Sequence, residues 1–257
     1  MTDHSAFRET GVSEQFGAKR IEVRIADHAG FVLMLPSRWE SSGSTRWVWY
    51  APHFQGVSPR DIHEWICTRL LAAGMAICGV DVGESYGSPE GRRVFTEFHR
   101  AVVGAYGLAG RACLLAQSRG GLMHYNWAVE HPSSVERIGG IYPVCDLSDW
   151  PGVEEAYEAY GMTTEELRAQ LSEHNPIERL APLATAKVPV LHVHGDSDSV
   201  VPMEKHSAEL CRRYRAAGGE MKLVVIAGAE HEEIDAFFKS QQLVDFLVQG
   251  PPAVYST

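Results

Sequence analysis

Short apolar runs alternating with amphipathic stretches constrain this chain more than any other feature. "RWVWYAP", "MAICGVD", "ACLLAQ", "IGGIYPV", "VPVLHVHG" and "KLVVIAG" are too short to be helices and are largely continuous apolar runs. Stretches at helical spacing separate them. Ile62, Ile66 and Leu70 recur every four residues, and Val94, Phe98, Val102 and Ala105 do much the same. Continuously apolar strands joined by helices read as parallel strands covered on both faces. Crossovers of that kind are right-handed, so the C-terminal ends of the strands share one edge, where ligands and reactive groups collect. The expected fold class is therefore α/β, a mostly parallel central sheet with helices on both faces.

Punctuation refines this outline. "KRIEVRIAD" and "GFVLMLP" alternate and meet near "HAG", which predicts a leading hairpin. In "SPRDIHEWICTRLLAAG", Ser58 is placed to cap a helix, Pro59 to occupy its first position and Gly74 to end it. "GGLMHYNWAVEH" stops before Pro132, and "EIDAFFKSQQLVDFLVQ" is expected as one closing helix. Residues 146–186 break the rhythm with about forty helical residues, including a Thr-capped "TTEEL". They are expected to form a small cap insertion beside the functional edge of one domain covering residues 1–257. The competing reading is a helical excursion with no part in binding.

Composition narrows the functional classes. A hydrophobic content of 45% can fill a full-sized core. The net charge of −10, with no Lys/Arg cluster, disfavours nucleic acid and anionic membrane as partners and fits a small-molecule substrate. No stretch is long and apolar enough for a membrane span, and "MTDHSAFRETGVSEQFGAKR" has no apolar run like that of a signal peptide, so a cytoplasmic location is expected. The five cysteines are scattered singly and are expected to be buried thiols. No cofactor is called for. His192 and His194 alternate near Asp196 and Asp198, an arrangement to weigh as a metal site, yet no H-E-x-x-H or cysteine cluster accompanies them. Packing against helices is the expected role of both rings.

Three residues at three strand ends point to chemistry. Ser118 ends "ACLLAQS" and is followed by Gly120 and Gly121. It is placed either to cap the next helix or to project from a tight turn as a nucleophile; Ala116-Gln117-Ser118-Arg119-Gly120 matches G-x-S-x-G with alanine for the first glycine. Asp198 follows the strand "VPVLHVHG", with Asp196 as its neighbour and rival. His231 follows the last strand in "GAEHEE".

The order Ser, Asp, His, carried by "AQSRGG", "HGDSDSVVP" and "GAEH", resembles the α/β-hydrolase superfamily. "NPIERLAPLATAKVPVLHVHGDSD" is similar to its prolyl oligopeptidase and dienelactone hydrolase branches. The resemblance implies an α/β-hydrolase fold and a serine esterase with Ser118 as nucleophile, His231 as base and Asp198 as its orienting carboxylate. It also implies an oxyanion hole made by the backbone N–H of Arg119 and that of Phe54, with His53 as runner-up. Tyr86, Trp150 and His53 are the expected substrate-binding residues; Tyr157 and Tyr160 lie in the cap, where packing is an equal explanation. The Arg119 side chain is placed either to meet a substrate carboxylate or to be tied into an ion pair. Small or polar esters, including carbohydrate esters or lactones, are the expected substrates. A peptidase or acyltransferase using the same triad, or a non-catalytic ligand-binding homologue, are the alternatives. Glu230, Glu232 and Glu233 flank His231 and are expected to favour its imidazolium form.

Overall fold

The computed structural model describes residues 7–39, 44–51 and 59–250. Among these residues nine strands form one sheet: β1 (Phe7–Gln15), β2 (Ala18–Ile25), β3 (His28–Met34), β4 (Trp47–Ala51), β5 (Ala76–Val80), β6 (Ala112–Gln117), β7 (Val135–Ile141), β8 (Val190–Gly195) and β9 (Met221–Ile226). Their spatial order is β1-β2-β3-β5-β4-β6-β7-β8-β9. The pairs up to β3·β5 are antiparallel, and every pair from β4·β5 onward is parallel. The parallel half is the one that the apolar runs predict, and all its strand C-termini open on one edge.

Among the described residues eleven α-helical segments accompany the sheet: α1 (Pro36–Trp39), α2 (Glu64–Ala72), α3 (Pro89–Tyr106), α4 (Gly120–Glu130), α5 (Val153–Tyr160), α6 (Thr164–Ala169), α7 (Leu171–His174), α8 (Ala181–Thr185), α9 (Ser207–Ala216), α10 (Asp235–Phe238) and α11 (Gln241–Val248). Ile66 and Leu70 of α2 pack on one face of the sheet with Phe237, Phe238, Leu243 and Leu247 of α10 and α11. Phe95 and Phe98 of α3, Trp127 of α4, Leu183 of α8 and Tyr214 of α9 pack on the other, where Trp47 and Trp49 are fully buried. Every strand from β4 to β8 is buried along its whole length, which explains why their apolar residues run on without an exposed polar face. Among the described residues no helix is long and apolar enough to cross a membrane. All five cysteines are buried thiols.

The predicted hairpin is β2–β3, but it has a third, outer partner. β1 is polar and largely exposed, with Val12 63% accessible, so it has no apolar face for a periodicity argument to find. The helix expected from Ser58 and Pro59 begins later. Pro59 is outside it, and a 3₁₀ turn over Asp61–His63 leads into α2. Gly74 does end it, with φ +80°. The same Ser-Pro signature works at Ser88-Pro89, where the Ser88 hydroxyl accepts from the Gly91 N–H and α3 starts at Pro89, ahead of Val94 where the predicted helical spacing begins. The closing helix is broken in two. Ser240 interrupts it and its hydroxyl accepts from the Leu243 N–H, restarting the chain as α11.

Residues 146–186 divide between two roles. Leu147, Val153, Ala156, Tyr160 and Leu167 form a small apolar cluster with Leu122, Val144 and Val201 of the body. The expected capping box is present: Thr163 Oγ1 accepts from the Glu166 N–H and Glu166 accepts from the Thr163 N–H at 2.8 Å. Beyond His174 the segment rejoins the main layers, and Ile177, Leu180, Leu183 and Ala184 belong to the core beside α4.

Candidate active site

The turn between β6 and α4 is tightly held. Ser118 has φ +48°, a left-handed conformation that is unusual for a residue with a Cβ. Its N–H donates to the Ile141 carbonyl at 3.1 Å, and its carbonyl accepts from Val144 at 2.8 Å and Gly121 at 2.9 Å. A Cβ on Gly120 would run into the Ala51 carbonyl, and one on Gly121 into the Val144 carbonyl. Both glycines are therefore needed for α4 to begin this close to β4 and to the chain beyond β7. The helix takes Arg119 as its N-cap, without a side-chain cap bond. The Ser118 hydroxyl is not that cap: Oγ lies 2.9 Å from His231 Nε2.

His231 stands in the loop after β9, its ring tilted against Tyr142 with centroids 4.4 Å apart. Its Nδ1 donates to Asp198 Oδ2 at 2.7 Å. Asp198 is only 5% exposed and accepts from four donors. Oδ1 takes the N–H groups of Val200 at 3.0 Å and Val201 at 2.7 Å, while His194 Nε2 reaches Oδ2 at 3.2 Å beside His231. Burial alone would raise the pKa of this carboxyl, but the hydrogen bonds from His194, His231 and Val201 outweigh it and hold it well below the usual carboxylate range. Asp196 faces elsewhere, bridging two loops by accepting from the Gly228 N–H at 2.7 Å. Of the glutamates beside His231, Glu230 accepts from Ser199 Oγ at 3.0 Å and Glu233 pairs with Arg60. Asp198 is the carboxylate hydrogen-bonded to the ring.

On the other side of Ser118 the Arg119 side chain forms an ion pair with Glu84, the second of its two expected roles. Its guanidinium also lies 5.4 Å from the centre of the Trp150 ring, and Trp150 meets Tyr86 edge to face at 6.1 Å. Tyr86 and Trp150 thus share one cluster with Arg119. Tyr160 has a packing role: it is buried and its hydroxyl donates to the Tyr86 carbonyl at 2.9 Å. Tyr157 donates to Glu158. His53 and Phe54 lie outside the described residues.

His192 and His194 pack against α9 rather than forming a ligand pair. The rings flank Ser207 Oγ at 2.9 and 2.7 Å through their Nδ1 atoms. His192 Nε2 meets Tyr125 OH at 2.7 Å, and His194 Nε2 also reaches the Val201 carbonyl at 2.9 Å. Sequence reasoning missed the contact of His194 with Asp198. The signal available was the two-residue spacing, which turns both rings to one face of β8. It missed Tyr142 as well, a residue with φ +34° that no motif marks.

Residues 101–249 match the prolyl oligopeptidase family. None of the curated protein sequences matches the chain. Among solved structures, an S-formylglutathione hydrolase from Agrobacterium tumefaciens superposes with a TM-score of 0.71 at 14% identity, covering 93% of this chain and 97% of that one. A truncated carbohydrate esterase from gut microbiota gives 0.65 at 13%, covering 95% of each. A putative dipeptidyl aminopeptidase IV from Bacteroides ovatus gives 0.70 at 13%, covering 94% of this chain and 35% of that one. The chain thus spans nearly the whole of the first two and about a third of the last. With the match running over more than half its length and the sheet, elbow and strand-end residues arranged as described, the chain belongs to the prolyl oligopeptidase family and is a serine hydrolase with the α/β-hydrolase fold.

Proposed function

We propose that this protein hydrolyses carboxylic esters with small or polar acyl and alcohol groups, through an acyl-enzyme on Ser118. The observation that carries the reading is the unbroken line from Ser118 Oγ to His231 Nε2 and from His231 Nδ1 to Asp198 Oδ2, at 2.9 and 2.7 Å. A serine hydroxyl is a weak nucleophile until a base takes its proton. His231 Nε2 accepts that proton as Oγ attacks the ester carbonyl, and Asp198 steadies the imidazolium that results. The tetrahedral intermediate collapses as His231 returns the proton to the leaving alcohol. Water, activated by the same ring, then attacks the acyl-serine and releases the acid.

The Arg119 backbone N–H, next to the nucleophile at the start of α4, is the first oxyanion donor in this scheme; Phe54 or His53 is the second. Tyr86 and Trp150 flank the acyl or alcohol group, and residues 146–174 form a cap above them. An ester rather than an amide substrate is supported by the end-to-end likeness to an S-formylglutathione hydrolase and a carbohydrate esterase. The family match favours a second reading, a peptidase.

The experiment is a comparison of p-nitrophenyl esters from C2 to C12 with aminoacyl p-nitroanilides, alongside labelling by a fluorophosphonate. Turnover greatest at C2 to C4, with labelling lost in Ser118→Ala, supports the proposal. Faster anilide cleavage supports the peptidase. Absence of both turnover and labelling overturns the catalytic reading in favour of a ligand-binding homologue.

A further inference from the structure

The site has a buried extension that its three reacting residues do not require. Tyr125 of α4, His192 and His194 of β8 and Ser207 of α9 are all fully buried, and they form a continuous hydrogen-bonded line that ends on Asp198. The direction of the line can be worked out atom by atom. The Val201 carbonyl can only accept, so His194 Nε2 carries a hydrogen, which it shares between that carbonyl and Asp198 Oδ2. With the rings uncharged, His194 Nδ1 then accepts from the Ser207 hydroxyl. Ser207 Oγ in turn accepts from His192 Nδ1–H, and His192 Nε2 accepts from the Tyr125 hydroxyl. Each member has a single arrangement of hydrogens that satisfies both neighbours, and that arrangement aims a donor at the carboxylate. Burial keeps His192 uncharged, pushing its pKa down to about 3.

We propose that His194 is a positioning residue for Asp198: its Nε2–H holds Oδ2 together with His231, and Ser207, His192 and Tyr125 fix which ring nitrogen carries that hydrogen. The inference rests on the triad reading above. An ionised carboxylate with two backbone donors on one oxygen and two imidazole donors on the other cannot rotate without leaving a buried donor unpaired. The position of Oδ2, and through it the tilt of the His231 ring toward Ser118, is then set by the core of the protein rather than by the exposed loop that bears Asp198. The alternative is that the two histidines merely fill space between β8 and α9.

Three variants and two readouts separate these. His194→Phe keeps the ring volume and removes both nitrogens. His194→Gln restores a donor near the Nε2 position. Ser207→Ala keeps His194 but removes the hydroxyl that fixes its tautomer. For His194→Phe, kcat for p-nitrophenyl acetate is expected to fall about tenfold or more with KM unchanged, the loss of one hydrogen bond to a charged group. His194→Gln is expected to recover most of that loss. Ser207→Ala is expected to lower kcat severalfold and to turn the single Nε2–H tautomer of His194, read from ¹⁵N chemical shifts, into a mixture. A folded His194→Phe with kcat within twofold of the unaltered protein overturns the proposal; so does a folded Ser207→Ala whose tautomer and kcat are both unchanged. If His194→Phe does not fold, Ser207→Ala decides. If the unaltered protein is never labelled at Ser118, the triad reading fails by itself, while the ¹⁵N arm still reports whether the donor chain exists.

Discussion

The loops after β6 and β8 hold their key residues by opposite means. At the first, Ser118 is held by space: two glycines let α4 press against neighbouring carbonyls, and backbone hydrogen bonds lock the turn in a left-handed conformation. At the second, Asp198 is held by hydrogen bonds, four donors converging on two oxygens. Packing tolerates no added atom but is indifferent to charge. A hydrogen-bonded cradle tolerates changes of shape but depends on the hydrogens its members carry. Ser118 and Asp198 should therefore fail in different ways.

The largest difference is expected for Asp198→Asn. It preserves shape but presents an amide N–H or a neutral oxygen to His231, and kcat should fall by roughly 10⁴-fold with the folded structure intact. A loss under tenfold would mean that His231 is oriented without this carboxylate. Gly121→Ala should do the reverse at the elbow. It is expected to lower stability by about 2–3 kcal/mol, read from urea unfolding, because the new methyl must displace the Val144 carbonyl; unaltered stability would show that the turn can relax.

Acid should weaken the hydrogen-bonded side through a histidine that neighbours it. His206 lies at the N-terminal end of α9, next to Ser207, and burial holds its pKa down at about 4 although Asp149 and Asp146 pull it upward. An unfolded histidine binds its proton near 6.5. The stabilising contribution is thus complete above that value and is lost as the pH falls from about 6.5 to 4, at up to about 1.4 kcal/mol per pH unit. His206→Gln should flatten the slope of stability against pH in that window, whereas Gly121→Ala should shift the whole curve down without changing it. The smallest effect belongs to Asp196→Asn. Its carboxylate bridges exposed loops, so activity should stay within about threefold and stability within about 1 kcal/mol. A drop comparable to that of Asp198→Asn would reverse the assignment of the two aspartates.

The same contrast governs what can be read from the amino-acid order. Ser118, Asp198 and His231 stand out because strand ends are punctuated by small and polar residues, and an α/β sheet brings all such ends to one edge. β1 leaves no trace because an exposed edge strand has no buried face to enforce alternation. Ser88 and Ser58 carry identical local signals, and the tertiary setting separates them: the residue after Ser88 begins α3, whereas Pro59 precedes a 3₁₀ turn. The break at Ser240 is invisible to periodicity because Phe237, Phe238, Leu243 and Leu247 all reach the same core on either side of it. The role of His194 requires knowing that Ser207, thirteen residues on, returns to the same face of β8.

β1 is both the last strand of the sheet and its least hydrophobic. Arg8, Glu9 and Glu14 are exposed along it, and its register with β2 slips between Glu9 and Gly11. A second polypeptide seeking to extend the sheet there would have to match an irregular ladder and bury those charges. The antiparallel margin therefore acts as a terminus for sheet growth, discouraging lateral self-association, while the opposite half of the molecule is left to hold the chemistry.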